Sequence, residues 1–292
     1  MRLPFLLRSS LSRKIRYGLG LLAGLVASLC FGGASANTMA APRSIAFYYG
    51  KTPILKQLAQ FEFAVVEPGH GFVPVHTSHK TRWIAYVSVG EVNSSRDYYS
   101  AIPKSWIIGH NAEWSSDIID QTAPGWPEFF VEHVIAPLWR QGYSGFFLDT
   151  LDSYQLVVKD AAQRQQNQEG LVAVIRAIHK RFPRAALILN RGFELLPEVH
   201  NDVYAVAFES LFKGWSESRG EYIDVSDTDR EWLLAQASTV KQQYGLPVIA
   251  IDYCLPTNLQ CSRDTVRRIR ALGLVPYVGD GRLQTVNLAS RH

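Results

Sequence analysis

From Ser44 onward the chain repeats one texture: a short apolar run that stops at polar or glycine residues, then a longer mixed segment. The runs are SIAFYYG (44–50), FEFAVVEP (61–68), RWIAYVSVGE (82–91), YSGFFLDT (143–150), RAALILNRG (184–192), VYAVAFES (203–210), PVIAIDYC (247–254) and LVPYVGD (274–280). Most are apolar nearly throughout instead of alternating, which fits parallel strands covered on both faces. The segments between them carry helical signals. EGLVAVIRAIHKRF (169–182) has apolar residues at helical spacing and stops before Pro183. DTDREWLLAQASTVKQQYG (227–245) opens on a capping Asp or Thr and closes at Gly245, and SRDTVRRIRALG (262–273) does the same on a smaller scale. Eight strand–helix units predict an α/β fold, a single-domain (β/α)8 TIM barrel over 43–292. An open doubly wound sheet would place a glycine-rich phosphate turn after its first strand, where YYGKTP stands instead.

One connection breaks the rhythm. About fifty residues separate Glu91 from Tyr143, and only their tail, GWPEFFVEHVIAPLWRQG, reads as a helix. The remainder is predicted to be a long loop after strand 3 on the mouth of the barrel. Its aromatics Tyr98, Tyr99, Trp106 and Trp114 argue against disorder and suit stacking on sugar rings.

Composition changes the picture mainly at the N-terminus. The chain has 292 residues, 47% of them hydrophobic, enough for one large core. MRLPFLLRSSLSRKIR is basic without acids, YGLGLLAGLVASLCF is apolar but short and holds three glycines, and Ala34-Ser35-Ala36 is a small-residue cleavage site. Residues 1–36 therefore read as a secretory signal peptide, giving a periplasmic or secreted protein with no stable membrane insertion after cleavage. That segment holds five basic residues and no acid. Of the chain's 30 basic residues 25 remain against 26 acidic ones, a formal charge of −1 with no basic stripe for nucleic acid. Cys254 and Cys261 are then a nearby pair in an oxidising compartment, which suits a disulfide better than a metal site.

Candidate chemistry lies at the strand ends, because the active face of such barrels is built there. Six of the eight runs end near a carboxylate: Glu67, Glu91, Asp149 with Asp152, Glu209, Asp252 and Asp280. Asp149 and Glu209 directly follow apolar triplets, Phe146-Phe147-Leu148 and Val206-Ala207-Phe208, so each acid is held against the core, where a charge is costly without a purpose. Asn190 and Arg191 stand on the strand between them. Asp152 and Ser153 also suit a helix cap, Asp280 a turn, and Glu67 before Pro68 a solvated loop. The histidines are scattered over loops and helices, which leaves no acyl-transfer triad, and no metal or other cofactor is expected.

At these residues the chain resembles a known family. YVSVGE, WSSDIIDQTAPGWPEFFVEHVIAPLW, GYSGFFLDTLDSYQ, ILNRGFELLP and AFES are similar to the hydrolase domains of the PelA family of bacterial Pel exopolysaccharide systems, and more distantly to glycoside hydrolase family 114, the endo-α-1,4-polygalactosaminidases. The resemblance covers essentially the whole chain after residue 36. It implies an exported (β/α)8 hydrolase cutting α-1,4-linked galactosamine and N-acetylgalactosamine polymers, with Asp149 and Glu209 as the catalytic pair. It further implies Tyr86, Glu91, Asp152, Asn190 and Asp252 as substrate contacts, and the mouth residues Tyr253 and Asp280 are added to these. PelA proteins carry a further deacetylase region, so the expectation here is hydrolysis without deacetylation. The expected partners are the polysaccharide and the machinery that exports it, with the protein a monomer. By analogy with other barrel enzymes on α-linkages, Asp149 is the nucleophile and Glu209 the acid/base. Retention, inversion and assistance by an acetamido group all remain open at this point. A non-catalytic polysaccharide-binding barrel is the alternative.

Overall fold

The structure is a computed structural model that describes residues 40–52, 54–74 and 80–291. The expected signal peptide lies outside the described residues. Eight parallel strands form a single sheet in chain order: β1 Ile45–Tyr48, β2 Phe63–Val66, β3 Arg82–Ser88, β4 Gly145–Asp149, β5 Ala186–Asn190, β6 Ala205–Glu209, β7 Val248–Tyr253 and β8 Val275–Gly279. Each neighbouring pair from β1 to β8 is hydrogen-bonded. At the seam, where β8 returns to β1, the Tyr277 hydroxyl donates to the Phe47 carbonyl at 2.8 Å, and Tyr49 N–H donates to the Leu283 carbonyl at 2.7 Å. The result is the nearly closed (β/α)8 barrel that the eight apolar runs predict.

Strand parity decides what faces the barrel axis, because alternate residues point to opposite sides. Phe47, Phe147 and Tyr277 meet inside, with ring centroids 5.1 Å apart for Phe47–Phe147 and 5.5 Å for Phe47–Tyr277. Counting two residues on from these reaches the mouth: Tyr49 after β1 and Asp149 at the end of β4. The register keeps the strand ends level, with Ser88 beside Asp149 and Ile251 beside Glu209.

The principal helices are α1 Ala161–Arg181, α2 Asp227–Gln243 and α3 Leu259–Ala271. α1 starts eight residues before the apolar period does. Its first turns are the polar stretch AAQRQQNQ, which has good helix propensity but nothing to bury, and Asp160 caps it by accepting from Gln163 N–H at 2.9 Å. Ser226 caps α2 and Asn258 caps α3. Between β3 and β4 the expected helix runs as Trp126–Phe130, a widened turn Val131–Ile135 and Ala136–Arg140. The widened turn precedes Pro137, which has no N–H to donate back into a regular helix.

The long connection is not a loop. It folds into a three-stranded antiparallel sheet of Glu91–Asn93, Ile107–Asn111 and Ser116–Ile119. Its aromatics mostly serve packing: Trp106 lies edge-on to Trp126 and Phe129, Tyr98 packs on Phe129, and the Tyr99 hydroxyl donates to Asp117. Trp114 at the hairpin turn is the exception, 59% exposed. A second hairpin, Lys213–Ser216 with Glu221–Asp224, follows β6. Cys254 and Cys261 form a disulfide between the end of β7 and α3.

Candidate active site

Asp149 ends β4 and Glu209 ends β6, and Asn190 ends β5 between them. All three are partly exposed at the mouth. The Asn190 amide nitrogen donates to Asp149 Oδ1 at 2.8 Å and reaches Glu209 Oε1 at 3.4 Å. These two contacts cap the distance between the two carboxylate oxygens at about 6.2 Å. Asn190 must present its nitrogen here, since only that end of the amide can donate to two acids. Its buried oxygen has no hydrogen-bond partner among the described residues.

Two tyrosines flank the pair. The Tyr86 hydroxyl from β3 donates to Asp149 Oδ2 at 2.8 Å, and the Tyr253 hydroxyl from β7 donates to Glu209 Oε2. Arg191 donates from its guanidinium to the Glu209 backbone carbonyl at 2.6 Å. Thr150 and Arg191, each directly after a site residue, have φ of 61° and 57°, a left-handed conformation that suits functional strand ends. Thr150 also ties β4 to β3. Its hydroxyl accepts from Gly90 N–H at 2.9 Å, and a side chain at Gly90 would meet the Thr150 carbonyl oxygen at 2.1 Å.

Burial raises the pKa of both acids. Donors oppose that rise at Asp149 from Asn190, Tyr86 and the Thr150 backbone, while Asp152 adds to it. At Glu209 the opposition comes from Tyr253, Arg191 and Asn190, and the Asp149 charge pushes it further up. Asp149 carries the fuller set of direct donors, which favour its ionised form.

The remaining mouth residues separate by parity and partner. Asp252 is expected among the substrate contacts, yet it is fully buried and its oxygens accept from Leu211, Phe212 and Lys213 N–H at 2.6, 2.8 and 2.9 Å. As the neighbour of inward-facing Tyr253 it points out of the barrel, so its carboxylate shapes the chain after Glu209 and is not available to substrate. Glu91, also expected to touch substrate, is 4% exposed and accepts from Asn111 Nδ2 at 2.9 Å and from the Ser116 hydroxyl, which bind the three-stranded sheet together. Asp280 is taken up by its own turn, accepting from Arg282, Gln284 and Thr285 N–H at 3.0, 3.1 and 2.6 Å. Asp152 is exposed beside the mouth without a hydrogen bond to its carboxylate among the described residues. Glu67 forms a two-pronged ion pair with Arg96, at 2.6 and 2.9 Å. Tyr49, at the first strand end but not among the expected substrate contacts, lies 4.9 Å from Tyr86 between ring centroids. Its parity with Phe47 is the signal that would have found it. Among the described residues, no three His, Cys, Asp or Glu side chains assemble as a metal site.

A TIM barrel whose mouth holds two carboxylates bridged by an amide fits one class well, the carbohydrate-cleaving barrels. Within that class the chain belongs to glycoside-hydrolase family GH114, whose family model matches residues 35–292. It is a glycoside hydrolase. The glycoside hydrolase domain of PelA from Pseudomonas aeruginosa is 34% identical, with a TM-score of 0.77 over 84% of this chain and 97% of that one. Ega3 of Aspergillus fumigatus, solved in complex with galactosamine, shares the fold at 12% identity and a TM-score of 0.59, over 85% of this chain and 95% of that one. An uncharacterised protein of Deinococcus radiodurans is 27% identical over 267 residues, 82% of this chain and 80% of that one.

Proposed function

We propose that this chain is an exported, endo-acting hydrolase of α-1,4-linked galactosamine and N-acetylgalactosamine polymers, working by retention with Asp149 as nucleophile and Glu209 as acid/base. The observation that carries the chemistry is the single Asn190 amide within reach of both carboxylates. Retaining enzymes hold their carboxyls about 5–5.5 Å apart and inverting ones about 6.5–9.5 Å. A ceiling of about 6.2 Å between the facing oxygens lies below the inverting range, which favours retention.

The proton inventory follows the donors. Asp149, in its ionised form, attacks the anomeric carbon while Glu209 gives its proton to the departing glycosidic oxygen. The bond from Asp149 to the sugar is then broken by water, whose proton returns to Glu209, and Asp149 leaves as a carboxylate. Tyr86 and Asn190 hold Asp149 during attack, and Tyr253 orients Glu209.

Substrate class rests on kinship with the PelA hydrolase domain and on charge. A partly deacetylated galactosamine polymer is cationic. Exposed Asp152 supplies negative potential at the rim. Export rests on residues 1–36 acting as a signal peptide, and no helix among the described residues is long and apolar enough to cross a membrane. The deciding experiment incubates the protein with purified polymer and counts new reducing ends for wild type, Asp149→Asn and Glu209→Gln. Wild type should generate them and both variants should not. Binding of polymer without new reducing ends would replace the enzyme reading with that of a binding barrel.

A further inference from the structure

The polar side chains that converge on the mouth divide by what they already hold. Tyr86 donates to Asp149, Tyr253 to Glu209, and Asn190 to both. Tyr49 holds nothing. Its hydroxyl has no hydrogen-bond partner among the described residues, although the ring is partly buried and packed 4.9 Å from Tyr86. The backbone beneath it is pinned on both sides. Its N–H donates to the Leu283 carbonyl at 2.7 Å, and its carbonyl accepts from Gln284 Nε2 at 3.2 Å. Its neighbour Tyr48, of opposite parity, donates to the Thr52 carbonyl at 2.5 Å and plays no part in the mouth.

Tyr49 is close enough to the reacting groups to feel them. Burial raises its pKa well above the usual tyrosine value, and the neighbouring carboxyls of Asp149 and Glu209 add to the rise. The phenol therefore stays neutral and remains a donor. A fixed aromatic ring with an unused donor, set among two carboxylates that are already satisfied, calls for an acceptor from outside the protein. A sugar ring offers several oxygens, and its faces are apolar enough to lie against the Tyr49 and Tyr86 rings.

We propose that the Tyr49 hydroxyl donates a hydrogen bond to an oxygen of the sugar unit held between Asp149 and Glu209, making Tyr49 a substrate-contacting residue of the reaction. This rests on the assignment of Asp149 and Glu209 given above. Tyr49 acts on the substrate and not through either acid, since neither carboxylate accepts a bond from it.

The test compares wild type, Tyr49→Phe, Tyr86→Phe and Tyr253→Phe in cleavage of galactosamine polymer across pH, alongside calorimetric titration with galactosamine. Tyr49→Phe keeps the ring packing and deletes a hydroxyl that bonds to nothing in the protein, so its melting temperature should match wild type. Its kcat/KM should fall roughly ten- to hundredfold and its affinity for galactosamine should weaken, with both limbs of the pH profile unmoved. Tyr86→Phe and Tyr253→Phe should each move a limb, because they remove a donor from an acid. Wild-type kcat/KM in Tyr49→Phe, or a displaced limb like that of Tyr86→Phe, would overturn the proposal. A wild type that cuts no polymer would defeat the substrate reading instead, and the ratio of galactosamine affinities would still judge Tyr49.

Discussion

Asp149 ends β4 and Asp252 stands one residue before the end of β7, both after buried apolar runs, and they end up in opposite trades. Asp149 points into the barrel, is partly exposed, and is held by side-chain donors, Tyr86 and Asn190. Asp252 points outward, is fully buried, and is held by three backbone N–H groups. A carboxylate held by movable side chains at a solvent-facing edge can exchange partners with a substrate. One saturated by backbone donors is a clamp. The number of hydrogen bonds does not separate the two; the kind of donor and the strand face do.

The comparison breaks most sharply under substitution. Glu209→Gln and Asp149→Asn should each lower kcat by about 10²–10⁴-fold or more while leaving the melting temperature within a few degrees of wild type. Asp252→Ala should do the reverse in emphasis. Three buried N–H groups would lose their acceptor, and denaturant unfolding should show a loss on the order of 3 kcal/mol, with activity falling only as the chain after Glu209 loosens. An Asp252→Ala protein as stable as wild type would end the clamp reading.

The pH profile sharpens the same contrast from the side of the movable donors. On the proposed mechanism activity requires ionised Asp149 and protonated Glu209, so it should fall below the first value and above the second. Tyr86 lowers Asp149, and Tyr86→Phe should shift the acid limb of kcat/KM to higher pH. Tyr253 lowers Glu209, and Tyr253→Phe should carry the alkaline limb upward as well. Limbs that stay in place in both variants would show that these hydroxyls do not set the acids. The smallest effect belongs to the surface. Arg282 pairs with Glu217 at 2.6 Å with the arginine mostly exposed, and Arg282→Ala should leave the melting temperature and kcat close to wild type.

Much of this was readable in the residues. All eight strands fall inside the apolar runs, because a parallel strand buried on both faces has no polar positions to blur it. Short antiparallel strands left weaker traces. Ile107–Asn111 alternates half-buried with exposed positions, and Lys213–Ser216 with Glu221–Asp224 is too brief and too polar to stand out from a loop. The aromatics of the long connection suggested sugar stacking, whereas most of them build that connection's own core, since a segment of that size needs one. The same blind spot explains Asp252 and Tyr49. Proximity to a strand end identified Asp252, but only counting in twos from Phe47 and Tyr253 shows which side chains reach the mouth.

The seam between β8 and β1 bears on how the molecule is made. A ring of strands synthesised from β1 onward keeps a raw edge on its first strand until the last one arrives. Until Tyr277 can reach Phe47 and Leu283 can receive Tyr49, the emerging chain offers two unpaired strand borders to any neighbour. Tyr49 sits on that first border, so the mouth of the barrel is completed only when the final strand has been delivered.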